Sequence, residues 1–237
     1  MPAISVTGVS KLFGRFAALR DVSADFEAGR LYAIFGENGA GKSTLLRIIA
    51  GLARPTRGAV DFQTGDEKRM GVFGADDEEN RPAVLRNLGY VPHASMLYDE
   101  MSALENLRYF AMLFGIGDGP HLAAAIERVG LDPKLERRVG DYSQGMRQRL
   151  SLARALVHDP GILLLDEPFS NLDSTGASEI AALLAKLRDA GKTILVVTHQ
   201  AAHLENIADE SLLLSAGQLA GRSTGVTATN ALAETVR

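Results

Sequence analysis

The 237-residue chain has no cysteine and no tryptophan. Without thiols it cannot carry a disulfide scaffold, a thiolate zinc site, an iron–sulfur cluster or a cysteine nucleophile. That absence is neutral on compartment and compatible with a cytosolic home. Long apolar runs are missing too. The longest clean ones are Leu31 to Phe35 and Ile162 to Leu165, far short of the ~18 residues a membrane helix needs. The opening MPAISVTGVSKLFG has no basic segment leading into an apolar one, so no signal peptide is expected. Nor is there a basic excess: 25 Lys+Arg against 29 Asp+Glu leave a net charge of −4. This argues against a surface that coats nucleic acid, and no nucleic-acid partner is expected. What remains is 46% hydrophobic, enough to bury a real core and too much for a disordered chain. The length fits one large domain or two small ones.

Glycine punctuates the chain. Ile4–Val6 and Val22–Phe26 read as strands, and Leu31–Phe35 as a buried strand. A Gly-rich turn follows it, then a helix through STLLRIIAGL that ends at Gly51. Gly58–Phe62 alternates like a strand. Residues 63–86 read as an exposed polar insertion with one strand near Met70–Phe73, and Leu88–Val91 is again a short strand. From Ser102 the pattern turns helical: a Ser102/Glu105 capping box, then helices to about Phe114, from Pro120 to Val129 and from Gln144 to Val157. Ile162–Leu165 is a buried strand, Thr175–Ala190 a long helix, Thr193–Thr198 a β-branched strand, His199–Ala208 helical and Ser211–Leu214 a last strand. Strands alternating with helices imply an α/β fold with a mostly parallel sheet.

Residues 36–44, GENGAGKST, match a phosphate-binding loop. Gly39 and Gly41 allow positive φ, so that backbone N–H groups of Gly36, Glu37, Asn38, Gly39, Ala40 and Gly41 approach phosphate oxygens. The following helix points its positive end at the same anion. Lys42 reaches the β- and γ-phosphates, Ser43 suits Mg²⁺, and Thr44 supports the neighbouring phosphate. The spacing GxxGxG excludes a dinucleotide-binding glycine motif.

Such a loop needs a carboxylate for Mg²⁺ and a group that orients water. ILLLDE places Asp166 at the carboxyl end of a buried strand, with Glu167 next to it as general base. His199 ends TILVVTH, at the same sheet edge, where an imidazole can hydrogen-bond the γ-phosphate or the attacking water. His199 and His203 are spaced i, i+4, but Gln200 stands where a HExxH glutamate would be, so a zinc site is not expected. His121 and His158 read as surface residues of helices or helix ends.

DYSQGMRQRLSLARAL (141–156), together with GENGAGKST, ILLLDEP, SNLD (170–173) and Thr198-His199, resembles the nucleotide-binding subunit of ATP-binding cassette (ABC) transporters over about residues 3–222. The resemblance implies a P-loop NTPase core, an antiparallel β portion and a helical signature subdomain at about 93–158, with 223–237 as a tail. It implies ATP as substrate and Mg²⁺ as cofactor. Two such subunits would pair head to tail, as a homodimer or with a second nucleotide-binding subunit. A separate integral membrane permease would hold them at the cytoplasmic face of the inner membrane. Ser143, Gln144 and Gly145, in the signature YSQGM, would contact the partner's ATP. Gln144 and Met146 depart from the family's Gly and Gln. Asp173 would contact the partner at the dimer axis. Phe13 either stacks on adenine or packs in the core beside Phe16. His93 stands where the family has Gln; it either reaches Mg²⁺ and water or is a substituted hinge residue. Leu97, Tyr98 and Leu104 belong to the core or to a groove for the permease.

On cargo, AGLARPTRG (50–58), His93 and SALENL resemble the ATP-binding subunit of the haem exporter of cytochrome c maturation. YSQGMRQRL resembles exporters of drugs, lipids or polysaccharides. A non-transport ABC ATPase is the alternative of another class, though neither a coiled-coil insertion nor a second cassette is present.

Overall fold

The computed structural model describes residues 2–64, 68–73 and 81–224. In chain order the elements are β1 (Pro2–Phe13), β2 (Phe16–Glu27), β3 (Leu31–Phe35), α1 (Lys42–Ile49), β4 (Arg57–Thr64), β5 (Lys68–Gly71), α2 (Arg81–Arg86) and β6 (Leu88–Val91). They continue with α3 (Ala103–Leu113), α4 (Pro120–Arg128), α5 (Gln144–Leu156), β7 (Ile162–Asp166), α6 (Ser174–Asp189), β8 (Thr193–Val197), β9 (Glu210–Ser215) and β10 (Gln218–Thr224).

Two sheets form. An antiparallel one has the order β2-β1-β4-β5, and a six-stranded one the order β10-β9-β3-β8-β7-β6. In the second, β9, β3, β8, β7 and β6 run parallel, and β10 adds antiparallel to β9. Fully buried runs such as LYAIF and ILLLD suit strands covered on both faces. Leu31, Ala33 and Phe35 face one apolar cluster with α3 to α6. Tyr32 and Ile34 face the other, with α1 and the antiparallel sheet. Parallel pairing puts the carboxyl ends of β3, β6, β7 and β8 on one edge, and the loops carrying Gly36–Gly41, His93, Glu167 and His199 leave from it.

The Ser102/Glu105 capping box is present. Ser102 Oγ accepts from the Glu105 N–H at 3.3 Å and Glu105 Oε2 accepts from the Ser102 N–H at 2.8 Å. Leu97 and Leu104 pack against the core. Tyr98 is exposed and lies edge-on to Tyr109, with ring centroids 4.9 Å apart.

Several elements differ from the sequence reading. β1 and β2 are far longer than Ile4–Val6 and Val22–Phe26, because the ladder continues beneath side chains that face solvent. The strand expected near Met70–Phe73 is β5, ending at Gly71; the rest of the expected insertion at 65–67 and 74–80 lies outside the described residues. The short helix α2, with Val84 as its buried residue, was not expected. Residues 199–208 are not a helix; they hold one 3₁₀ turn, Ala201–His203. The Gln200 N–H bonds Thr198 Oγ1 at 3.0 Å, a local bond that competes with helix formation. β10 runs to Thr224 and so takes in the first two residues of the expected 223–237 tail; the rest of it lies outside the described residues. Its pattern QLAGRST is too polar to read as a strand; it is an edge strand, tied down by an ion pair of Arg222 with the buried Glu210. His121 is exposed as expected, but His158 is half-buried. Its ring stacks on Phe114 at 3.9 Å, its Nε2 lies 3.0 Å from the Leu88 carbonyl, and its Nδ1 is buried without a partner.

Candidate functional site

The loop between β3 and α1 is shaped by its glycines. Gly39 and Gly41 have φ of 83° and 99°, the conformations expected of a phosphate cradle. At Gly41 the requirement is double, because an added Cβ would lie 2.4 Å from the Ala18 carbonyl oxygen. α1 starts at Lys42, directly after this turn, and aims its first N–H groups into the loop. Lys42 is buried, and its Nζ donates to the carbonyls of Gly36 at 2.7 Å and Glu37 at 2.9 Å. Burial pulls its ammonium below the usual lysine range, against the pull of Glu167 and Asp166.

Asp166 ends β7, across from the loop. Ser43 Oγ donates to its Oδ1 at 2.9 Å, while its Oδ2 is buried with no partner. Burial pushes the Asp166 carboxyl above its usual range, offset in part by the Ser43 bond. An orphaned carboxylate oxygen beside a serine hydroxyl is an all-oxygen donor set of the kind magnesium takes. The residues present therefore fit that ion.

Glu167 follows with φ of 55°, a left-handed conformation that costs a non-glycine residue on the order of 1–3 kcal/mol. Its own N–H bonds the Val197 carbonyl at 2.8 Å, which pins the turn to β8. Its Oε2 collects the Thr198 hydroxyl at 3.1 Å, the His199 N–H at 3.3 Å and His199 Nδ1 at 3.0 Å. The ring of His199, expected to reach phosphate or water, lies on Glu167, and Glu167 also lines the cleft.

The cleft measures about 390 Å³, and its walls bring together Phe13, Lys42, Ser43, Thr44, His93, Asp166 and Glu167. Phe13 is 56% exposed, so it is not a core residue. Phe16 and Ala18 also line the cleft and were missed as site residues. The signal for Phe16 was its place across the Gly14–Arg15 turn, where it pairs in register with Phe13.

Ser143, Gln144 and Gly145 do not join this cleft. Gln144 lines a separate polar depression of about 440 Å³ with Asp99, Arg147, Gln148, Asn171 and, again, His93. Ser143 caps α5, its hydroxyl accepting the Met146 N–H at 3.3 Å. Gly145 lies against Leu172. Asp173 caps α6, with its Oδ1 accepting the Gly176 N–H at 2.8 Å.

A family model described as ABC transporter matches residues 19–170, more than half of the chain. The chain belongs to the ABC transporter family. It is similar to the ABC transporter ATP-binding protein NatA of Bacillus subtilis, 37% identical over 85% of this chain and 80% of that one. The bacitracin transport ATP-binding protein BcrA of Bacillus licheniformis is 32% identical over 91% of this chain and 68% of its own length. For the sulfate/thiosulfate import ATP-binding protein CysA 2 of Rhizobium meliloti the figures are 36%, 91% and 58%. Among solved structures, a dimeric post-hydrolysis ATP-binding cassette bound to ADP and Pi superposes with a TM-score of 0.83. It is 27% identical and covers 93% of this chain and 98% of that one. The P-loop NTPase fold expected from the sequence is therefore the fold observed. The cassette is an ATPase subunit of a transporter, as the resemblance implied.

Proposed function

We propose that this cassette hydrolyses ATP in the cleft between Phe13 and Glu167 and completes that site only when a second cassette closes over it. The observation that carries the reading is the division of the machinery. Loop, lysine and both carboxylates share one cleft, while Gln144, between Ser143 and Gly145, lines another depression. A second copy, turned head to tail, brings its Ser143 segment and the N-terminus of its α5 onto the γ-phosphate.

In this reading Phe13 stacks on adenine and the 36–41 backbone cradles the phosphates. Lys42 leaves the Gly36 and Glu37 carbonyls for phosphate oxygens, and Thr44 adds its contact. Ser43 and Asp166 would hold Mg²⁺, which would supply neutralisation of the charge on the transferring phosphoryl group. Glu167, fixed by Thr198 and His199, takes the proton of the attacking water. His93 lines the cleft and fills the place of the family's Gln. Asp173 and the 170–172 turn face the partner.

The pair works against a membrane permease at the cytoplasmic face. Among the described residues no helix is long and apolar enough to cross a membrane. The permease selects the cargo. The finer expectation of haem finds no support among the named relatives, which concern bacitracin transport and sulfate/thiosulfate import.

The test is Glu167→Gln. ATP binding by calorimetry should be retained, hydrolysis should fall by about 10²–10⁴-fold, and size exclusion with ATP should show a trapped dimer. Normal turnover would overturn the assignment of Glu167, and a variant that stays monomeric at saturating ATP would overturn the two-cassette site.

A further inference from the structure

The segment from Tyr90 to Met96 carries His93 at its midpoint and is held from behind by one helix. Arg154, in the last turns of α5, is 9% exposed. Its Nη2 donates to the Tyr90 carbonyl and its Nη1 to the Met96 carbonyl, both at 3.0 Å. The two acceptors lie three residues before and three residues after His93. One turn earlier on the same helix, the hydroxyl of the buried Ser151 donates to the Ser95 carbonyl at 3.2 Å. The guanidinium also lies 5.2 Å from the centre of the Phe110 ring, on α3. No carboxylate pairs with Arg154 among the described residues; carbonyl dipoles and an aromatic face meet its charge.

We infer that Arg154 is a positioning residue: its rigid fork staples the two ends of the His93 loop to the helix that begins at Ser143, so loop and helix move as one body. The inference rests on the placing of His93 in the nucleotide site. The physical case is the planar fork. Two donors at fixed spacing set the distance between two carbonyls, which a single-point ammonium does not do. Burial brings the guanidinium down to about 10, so it stays charged at neutral pH. A buried charge with no counter-ion is an expensive way to hold a loop, and a purely apolar side chain would fill the same space. What the fork adds is geometry. When a partner's nucleotide seats against the Ser143 end of α5, the shift reaches the chain's own His93 through this staple.

The experiment is a double-mutant cycle on ATP turnover in the full chain, using His93→Ala, Arg154→Gln and the combination. Alone, Arg154→Gln should lower kcat by about 10- to 100-fold, the size of effect a misplacement near 1 Å has. The Kd for ATP should stay within about twofold, because the phosphate loop is untouched, and Arg154→Lys should recover only part of the loss. In the His93→Ala background the same change should cost less than about threefold, because the loop no longer has a group to place. If the two losses multiply in full, Arg154 acts independently of His93 and the inference is overturned, while the reading of the site stands. If His93→Ala alone leaves kcat unchanged, the reading of His93 falls, and the inference with it. Should Arg154→Gln fail to fold, Ser151→Ala, which removes only the bond to Ser95, must show the same non-multiplying pattern; full multiplication there overturns the inference equally.

Discussion

Gly39 and Gly41 both have positive φ within three residues of each other, yet they should respond differently to a single methyl group. At Gly39 an added Cβ meets nothing within 4 Å. The cost of Gly39→Ala is therefore the left-handed backbone alone, about 1–2 kcal/mol. At Gly41 the same strain applies, and the Cβ also lands 2.4 Å from the Ala18 carbonyl oxygen and 2.8 Å from Leu19 Cδ2. Ordinary contact starts near 3.4 Å, so β2 or the loop must retreat by about 1 Å. The Ala18 carbonyl has little room to give, because Gly217 also packs close against it. Overpacking of this kind adds about 1–3 kcal/mol. For a chain of this length each kcal/mol is worth about 2–4 °C in Tm. Scanning calorimetry without nucleotide should therefore show Gly39→Ala lowered by roughly 2–8 °C and Gly41→Ala by roughly 4–20 °C, with Gly41→Ala always the lower of the two. Isothermal calorimetry should then show the larger loss of ATP affinity for Gly41→Ala, because its loop has moved. Equal melting points, or a Gly41→Ala protein that binds ATP like wild type, would refute the claim that close approach to β2 shapes the cradle.

Two further outcomes are expected. Lys42→Ala should lose most ATP affinity by calorimetry while melting near the wild-type temperature, since the Lys42 ammonium bonds only the loop's own carbonyls; unchanged affinity would count against the phosphate assignment. His158 is held below its ordinary value of 6.5 by burial, with the Leu88 carbonyl opposing. Below about pH 6.5 the unfolded chain takes up a proton that the folded chain resists, so stability should fall as pH drops through that window. His158→Phe keeps a ring against Phe114 and should flatten this slope in urea melts at a series of pH values; an unchanged slope would place the acid sensitivity elsewhere.

The phosphate loop, Asp166 and Glu167 were legible because each is a local demand. Positive φ requires glycine, and a carboxylate after a buried parallel strand has one edge to occupy. The capping box and the parallel strands were readable for the same reason, since period and caps are properties of neighbours in sequence. What depends on distant partners was not. Phe13 and Phe16 pair across one hairpin turn, but that both face a cleft depends on the phosphate loop lying opposite. β10 owes its existence to the ladder with β9 and to Glu210 rather than to its own residues. The ring of His199 on Glu167 and the grip of Arg154 on Tyr90 and Met96 join residues 32 and 64 or 58 apart. Such contacts exist only once the sheet has set the elements side by side.

The strict alternation along β3, β7 and β8 has a consequence for how the molecule tolerates change. Leu163 and Leu165 belong to one oily compartment and Ile162 and Leu164 to the other, and the same division runs through Ile194, Leu195, Val196 and Val197. The sheet is thus a partition with a separate packing problem on each side. Volume lost on the helical side at Leu163 can be regained at Leu107 or Leu150 without disturbing Leu45 or Phe26 beyond the wall. A change of volume on the helical side is therefore felt first among α3 to α6, and one on the other side among α1 and the antiparallel sheet that back the phosphate loop.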